Sequence, residues 1–140
     1  MSFNLVAKIF IAAVVLVLIL LTTAWIQKKL GHQRLKQPKY EKRWRAIGHH
    51  LKEESTWHLA LIEADDLLDD VLKRRGFKGN SMGERLLNAR QEFTDNDSVW
   101  VAHKLRDRLV HEHDVKLDEK TIKMALRAER QALKDLGALQ

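Results

Sequence analysis

The stretch IFIAAVVLVLILLTTAWI, residues 9–26, contains 18 consecutive residues without a charge. At 1.5 Å per helical residue it covers about 27 Å, close to the roughly 30 Å hydrocarbon core of a bilayer. Trp25 stands at its end, where aromatic side chains meet the membrane interface. We therefore predict one transmembrane helix, with residues 1–27 as an anchor. The alternative is a cleaved signal peptide, which the length of the run and the charge after it disfavour.

Basic residues are distributed unevenly around this run. Only Lys8 precedes it, whereas eight basic residues follow it: Lys28, Lys29, Arg34, Lys36, Lys39, Lys42, Arg43 and Arg45. Because basic flanks remain cytoplasmic, we expect a single-pass protein of the plasma (inner) membrane, its N-terminus outside and its C-terminal domain in the cytoplasm. The same cluster is predicted to contact anionic lipids, and residues 28–38 to form a juxtamembrane stalk.

The remainder of the chain has a different charge balance. Residues 46–140 hold 16 basic and 18 acidic residues, a balance of −2, although the whole chain carries +6. A general nucleic-acid-binding face is therefore not supported. The chain has no Cys, which excludes disulfides, thiol chemistry and Cys-based zinc sites.

Apolar residues at helical spacing predict an all-α bundle of four to five helices over residues 39–140. We expect a first helix over 39–53, a second capped by Ser55, a third whose capping box pairs Ser81 with Glu84, a fourth over 98–113 and a fifth capped by Asp118. The residues predicted to face the core are Trp44, Ile47, Leu51, Trp57, Leu61, Ala64, Leu68, Val71, Leu86, Leu87, Phe93, Trp100, Val101, Ala102, Leu105, Leu109, Ile122, Leu126, Leu133 and Leu136.

The fourth predicted helix contains Arg106-Asp107-Arg-Leu-Val-His111. This segment resembles the motif of HEPN domains, small helical bundles in which an Arg and a polar residue precede a His on a late helix. As in that family, one more helix follows the motif, and the resemblance extends over residues 55–139 as architecture. His113 stands where toxins of the family often have Tyr, so regulation through that Tyr is not expected here.

The resemblance implies two functions. One is a metal-independent endoribonuclease, assembled in a homodimer, in which His111 transfers protons, Arg106 neutralises the phosphate and Asp107 orients His111. The other is a non-catalytic, membrane-anchored interaction or dimerisation module that binds its own copy or a partner protein. The −2 charge of the domain favours the second function, because RNA phosphates bind most strongly to positively charged surfaces. No cofactor is expected in either case.

A metal site is a further alternative, because His103, Asp107 and His111 recur at every fourth residue on one helix face. Another ligand would then come from the acidic residues of the second predicted helix, which are Asp65, Asp66, Asp69 and Asp70. The simpler interpretation of those four residues is a solvated acidic face paired with Arg residues of a neighbouring helix.

Overall fold

The computed structural model describes residues 3–30 and 35–140, with side chains for 4–25 and 35–140. This part of the chain is helical and contains no β-strand, which confirms the all-α prediction. The α-helices are α1 (Phe3–Leu30), α2 (Gln37–Gly48), α3 (Trp57–Arg74), α4 (Met82–Ala89), α5 (Asn96–His111) and α6 (Glu119–Asp135). Short 3₁₀ segments are His49–Lys52, Glu54–Thr56 and Arg90–Glu92. The chain divides into two compact units, Met1–Gln33 and Arg34–Gln140.

The first unit is built on α1, whose segment Asn4–Trp25 is long and apolar enough to cross a membrane. Its 22 residues cover roughly 33 Å. The hydroxyls of Thr22 and Thr23 donate to carbonyl oxygens one turn earlier, at 2.9 Å and 3.0 Å. Both hydroxyls are thus satisfied within the helix, as an apolar surrounding requires.

The second unit is a bundle arranged around α3, which contacts α2, α4, α5 and α6, while α6 also packs along α5. Most residues predicted to face the core are buried: Ile47, Leu61, Ala64, Leu68, Val71, Leu86, Phe93, Ala102, Ile122, Leu126, Leu133 and Leu136. Trp44, Trp57, Trp100, Leu105 and Leu109 are partly buried against them.

Three core predictions are wrong, since Leu51, Leu87 and Val101 are exposed. Leu51 lies in a 3₁₀ segment, whose tighter winding shifts it from the face expected of a continuing α-helix. Leu87 follows the buried Leu86 by about 100° of helix rotation, so only one of the two faces the core. Val101 is exposed because the positions of α5 that face the core are Val99, Ala102 and His103.

Two acidic residues begin helices as their sequence positions suggest. Asp118 accepts a hydrogen bond from the Thr121 amide at 2.6 Å, and Asp95 accepts one from the Ser98 amide at 3.0 Å. The Thr121 amide lowers the pKa of Asp118 by binding its ionised form, and the Ser98 hydroxyl, followed by the Ser98 amide, lowers the pKa of Asp95 in the same way. The cap at Asp118 was predicted. The cap at Asp95 starts α5 at Asn96, two residues before the predicted start.

The capping box of α4 is largely as predicted. Ser81 Oγ accepts from the Glu84 amide at 3.2 Å, but Glu84 Oε2 accepts from the Asn80 amide at 2.6 Å instead of from that of Ser81. The Ser55 cap is wrong. Thr56 is the residue before α3, without a side-chain cap, because a 3₁₀ turn, Glu54–Thr56, leads into the helix.

The bundle includes residues assigned to the stalk by the sequence. Leu35 packs against the core, and the Gln37 side-chain amide donates to the Gly137 carbonyl at 3.1 Å. Both contacts lie before residue 39, where the sequence places the start of the domain. The minimal folding unit is therefore expected to begin at Leu35.

Removing residues 1–34 is expected to give a soluble, helical fragment that unfolds cooperatively, since every core contact of the bundle remains. Gel filtration without detergent and thermal circular dichroism test this. Removing residues 1–38 instead should lower the free energy of unfolding by about 1–3 kcal/mol through the loss of the Leu35 and Gln37 contacts. A 35–140 fragment that aggregates without detergent would contradict the prediction.

Candidate functional site

A buried ion pair joins α5 to α3 at the centre of the site. His103 Nδ1 lies 2.9 Å from Asp65 Oδ1. Only 2% of Asp65 is exposed, and His103 is also buried. Burial raises the pKa of Asp65, although the hydrogen bond from His103 opposes that shift. The same hydrogen bond raises the pKa of His103. The two side chains therefore form a buried, hydrogen-bonded acid–base pair.

Arg106, the first residue of the resemblance motif, also points to α3. Its Nε lies 3.4 Å from Asp65 Oδ2, and its two terminal nitrogens lie 3.2 Å from Asp66 Oδ1 and 3.2 Å from Asp107 Oδ1. Burial lowers the pKa of Arg106, but the charges of Asp65 and Asp66 outweigh it, so the pKa is raised. The guanidinium is thus neutralised by carboxylates of its own chain.

The other two motif residues are separated from each other. Asp107, predicted to orient His111, instead pairs with Arg106 and lies 3.7 Å from His103 Nε2. His111 is exposed at the end of α5. Within the described part of the chain, no hydrogen bond or ion pair involves its imidazole. Positions five apart lie about 140° apart around a helix, which is why Arg106 and His111 do not face one point.

The predicted metal ligands do not gather either. Among residues 4–25 and 35–140, no group of three or more His, Asp or Glu side chains is arranged to hold a metal ion. His103 is engaged through Nδ1 by Asp65, whereas His111 lies outside the cluster. The set His103, Asp107 and His111 is therefore not a preformed site in this structure.

The acidic row of α3 is paired with Arg residues of neighbouring helices, as the simpler interpretation of the sequence predicts, but Asp65 is buried instead of solvated. Asp69 lies 2.7 Å from Arg85 Nε and also pairs with Lys73. Asp70 lies 2.9 Å from Arg43 Nη1 and 3.3 Å from Arg74 Nε. These contacts connect α3 to α2 and α4. The row is thus part of the bundle's own ion-pair network.

Sequence reasoning missed Glu129, which is 0% exposed on α6. Both of its carboxyl oxygens are buried without a hydrogen-bond partner. Burial, followed by the nearby charge of Asp65, raises its pKa well above the ordinary value. A signal was present, because Glu129 falls between Leu126 and Leu133 on the stripe predicted to face inward.

A groove with a volume of about 420 Å³ lies between α5 and α6. Val101 and Met124 line it and remain 65% and 53% exposed. The rest of the apolar lining comes from Val99, Ala102, Leu105, Ala125, Ala128 and Ala132.

The structure thus combines an ion-pair cluster closed within the chain and an apolar groove open to its surroundings. The cluster contains Asp65, His103, Arg106 and Asp107, and His111 stands outside it. Comparison of the chain with protein-family models, with curated proteins and with solved structures gives no match.

Proposed function

We propose that this chain is a membrane-anchored interaction module of HEPN-like type that pairs with a second copy through the groove between α5 and α6. The observation that carries the proposal is the exposure of Val101 and Met124 in that groove. Apolar side chains gathered in one concave surface are typical of interaction sites, whereas single exposed ones are not.

The proposed setting follows from α1 and the residues after it. The Asn4–Trp25 segment has the length and composition of a membrane span. The excess of basic residues over 28–45 favours a cytoplasmic bundle at the plasma (inner) membrane. Of those residues, Lys28, Lys29 and Arg34 have side chains outside the described part of the structure.

Charge at the groove favours a second copy as the occupant. The Thr94 amide donates to Asp135 Oδ2 at 2.7 Å, so the start of α5 lies beside the end of α6. Asp97 and Asp135 make this end of the groove acidic. Arg127, which also lines the groove, lies eight residues before Asp135, about 12 Å away along α6. In a two-fold pair, the acidic end of one copy meets Arg127 of the other. A shared membrane also raises the effective concentration of the copies.

The endoribonuclease alternative has less support from the geometry. Arg106 would have to leave the carboxylates of Asp65, Asp66 and Asp107 to bind a phosphate. Asp107 does not contact His111, so it does not fix that ring. These contacts favour a structural role for the motif residues Arg106 and Asp107. The exposed His111 is the one motif residue still available for proton transfer.

Cysteine cross-linking in membranes tests the pairing, because the native chain contains no Cys. Full-length Met124→Cys is expected to form dimers with a short bifunctional maleimide. Val110→Cys is the matched control, because Val110 is 47% exposed on α5 but does not line the groove. Adding Val101→Asp to Met124→Cys should weaken dimerisation more than tenfold, since the new carboxylate would be desolvated. Circular dichroism should be unchanged.

Other outcomes would overturn the proposal. Equal cross-linking of Met124→Cys and Val110→Cys, or dimers that tolerate Val101→Asp, would exclude the groove as the interface. RNA cleavage by the native chain that resists EDTA and disappears in His111→Ala would establish the nuclease instead. Labelling of Val110→Cys in intact cells by a membrane-impermeant maleimide would contradict the cytoplasmic orientation.

A further inference from the structure

The exposed face of α2 is basic. Lys39, Lys42 and Arg45 are all exposed, and Lys36, just before the helix, is exposed as well. Residues three apart advance by 300°, so these four positions cover an arc of about 180° with Lys39 and Lys42 at its centre. Tyr40 and Ile47 are buried and point about 130° and 110° away from the centre of this arc. The helix therefore separates a core-facing side from a cationic side.

Acidic residues do not neutralise this face. Glu41, the one acidic residue of α2, is partly buried, and its Oε1 accepts from the Gln140 amide at 2.8 Å. No ion pair within the described residues involves Lys36, Lys39, Lys42 or Arg45. The Lys39 ammonium lies 6.0 Å from the centre of the Tyr40 ring, a contact that leaves its charge in place. Four positive charges thus remain available to an external anion.

Arg43 belongs to the same cluster in the sequence but is used differently in the structure. Its Nη1 lies 2.9 Å from Asp70 Oδ2, so it links α2 to α3. Arg43 is therefore used in an ion pair within the bundle, whereas Lys39, Lys42 and Arg45 of the same helix face outward. This division provides a matched control for any test of the face.

We propose that the face formed by Lys36, Lys39, Lys42 and Arg45 docks on anionic lipid headgroups and holds the bundle against the membrane surface. The inference rests on the membrane anchoring in the proposed function but not on the groove. Eleven residues, 26–36, lie between Trp25 and Gln37, and a chain of that length spans at most about 40 Å, so the tether keeps α2 within about that distance of the headgroups. Juxtamembrane basic clusters attract anionic lipids, each cation strengthening binding about fivefold.

The test uses the full chain in lipid nanodiscs that hold one copy. A spin label is placed at Ala46→Cys, on the exposed side of α2, or at the control Leu87→Cys, exposed on α4. Headgroup-bound gadolinium should relax the label at position 46 in discs with 30% phosphatidylglycerol. The effect should weaken in phosphatidylcholine alone and at high salt, which screens exposed charges. The label at position 87 should respond less in every disc.

Substitutions then connect the effect to the named residues. The triple variant Lys39→Gln, Lys42→Gln, Arg45→Gln should lower the docked-to-free ratio by about a hundredfold, three successive fivefold losses. Arg43→Gln should leave the ratio nearly unchanged. Equal relaxation in both lipid compositions, or a triple variant that docks like the native chain, would overturn the proposal. So would RNA binding to the native face that phosphatidylglycerol does not compete away. A chain that does not insert into discs would instead refute the membrane anchoring of the proposed function. Loss of dimerisation alone would refute the groove interface but leave the docking proposal intact.

Discussion

Asp65→Ala is expected to lower the free energy of unfolding of the bundle by about 3–5 kcal/mol, a large part of the stability of a domain of this size. The Asp65 carboxylate is the shared partner of His103, at 2.9 Å, and of Arg106, at 3.4 Å. Its removal leaves the buried His103 Nδ1 without its hydrogen-bond partner and takes away the buried charge that faces the Arg106 guanidinium. Urea denaturation of the 35–140 fragment, or of the full chain in detergent, measures the loss.

Asp66→Ala is the matched control for this prediction, because Asp66 is the next residue along α3 and is exposed. It contacts Arg106 at 3.2 Å, without other partners in the described residues. An exposed ion pair contributes about 0–1 kcal/mol, so this variant should stay close to the native chain. Similar losses of stability in the two variants would show that the buried ion pair contributes no more than the exposed one. An Asp65→Ala variant as stable as the native chain would contradict the prediction outright.

The same comparison bears on the motif that suggested a HEPN-like site. If Asp65→Ala destabilises the bundle, Arg106 and His103 are held by a structural cluster, and substitutions at Arg106 would impair folding before any chemistry. A loss of activity in Arg106→Ala would then say little about catalysis. His111→Ala is the informative variant, because its imidazole is outside the cluster and its removal should leave stability nearly unchanged.

Much of the bundle follows from local signals in the sequence. Helical spacing identifies the inward residues of α3 and α6, and Ser81 and Asp118 cap their helices because the capping bonds are made within three or four residues. α5 is different, because apolar residues occur on more than one of its faces. Val99 and Ala102 are buried while Val101 is exposed, and only packing against α3 and α6 decides between these faces.

The candidate site depends on contacts that sequence spacing cannot provide. His103 and Arg106 are conspicuous in the sequence, but the partner that they share, Asp65, lies 38 residues before His103. That distance is closed only when α3 and α5 pack together. The acidic row of α3 suggested ion pairs in general, whereas the choice of Asp65 for burial depends on its position facing α5. Glu129 was visible as a charge on the inward stripe of α6, although its burial without a partner is a tertiary property.

Glu129→Leu is expected to raise the free energy of unfolding at pH 7 by about 1–4 kcal/mol, since an apolar side chain of similar size removes a buried carboxyl without a partner. The reason lies in the coupling between protonation and folding. The ordinary pKa of Glu129 is 4.5, and burial raises it well above that value in the folded chain. Above about pH 4.5, the unfolded chain releases a proton that the folded chain retains. Stability therefore falls as pH rises towards the folded pKa, by up to about 1.4 kcal/mol per pH unit.

The pKa values of Asp65 and His103 are raised like that of Glu129, so the native chain should be most stable in mildly acidic solution. The raised pKa of Asp65 and the raised pKa of His103 also lead to lower stability as pH increases, the latter above about 6.5. Asp69, whose pKa is lowered despite partial burial because Arg85 and Lys73 bind its ionised form, has the opposite effect and costs stability below about pH 3.8. The free energy of unfolding is therefore expected to be greatest just above about pH 3.8 and to decline as the pH rises from there.

Urea denaturation at pH 5, 6, 7 and 8 tests this account. The native chain should lose stability over that range, whereas Glu129→Leu should lose much less, the remainder coming from Asp65 and His103. Glu129→Gln separates the two causes, because the amide does not titrate but leaves a polar group without a partner. It should therefore flatten the pH dependence without the full gain seen with Leu. Equal slopes for the native chain and Glu129→Leu would show that Glu129 does not retain a proton in the folded bundle, and a less stable Glu129→Leu at pH 7 would mean that the carboxyl has a partner after all.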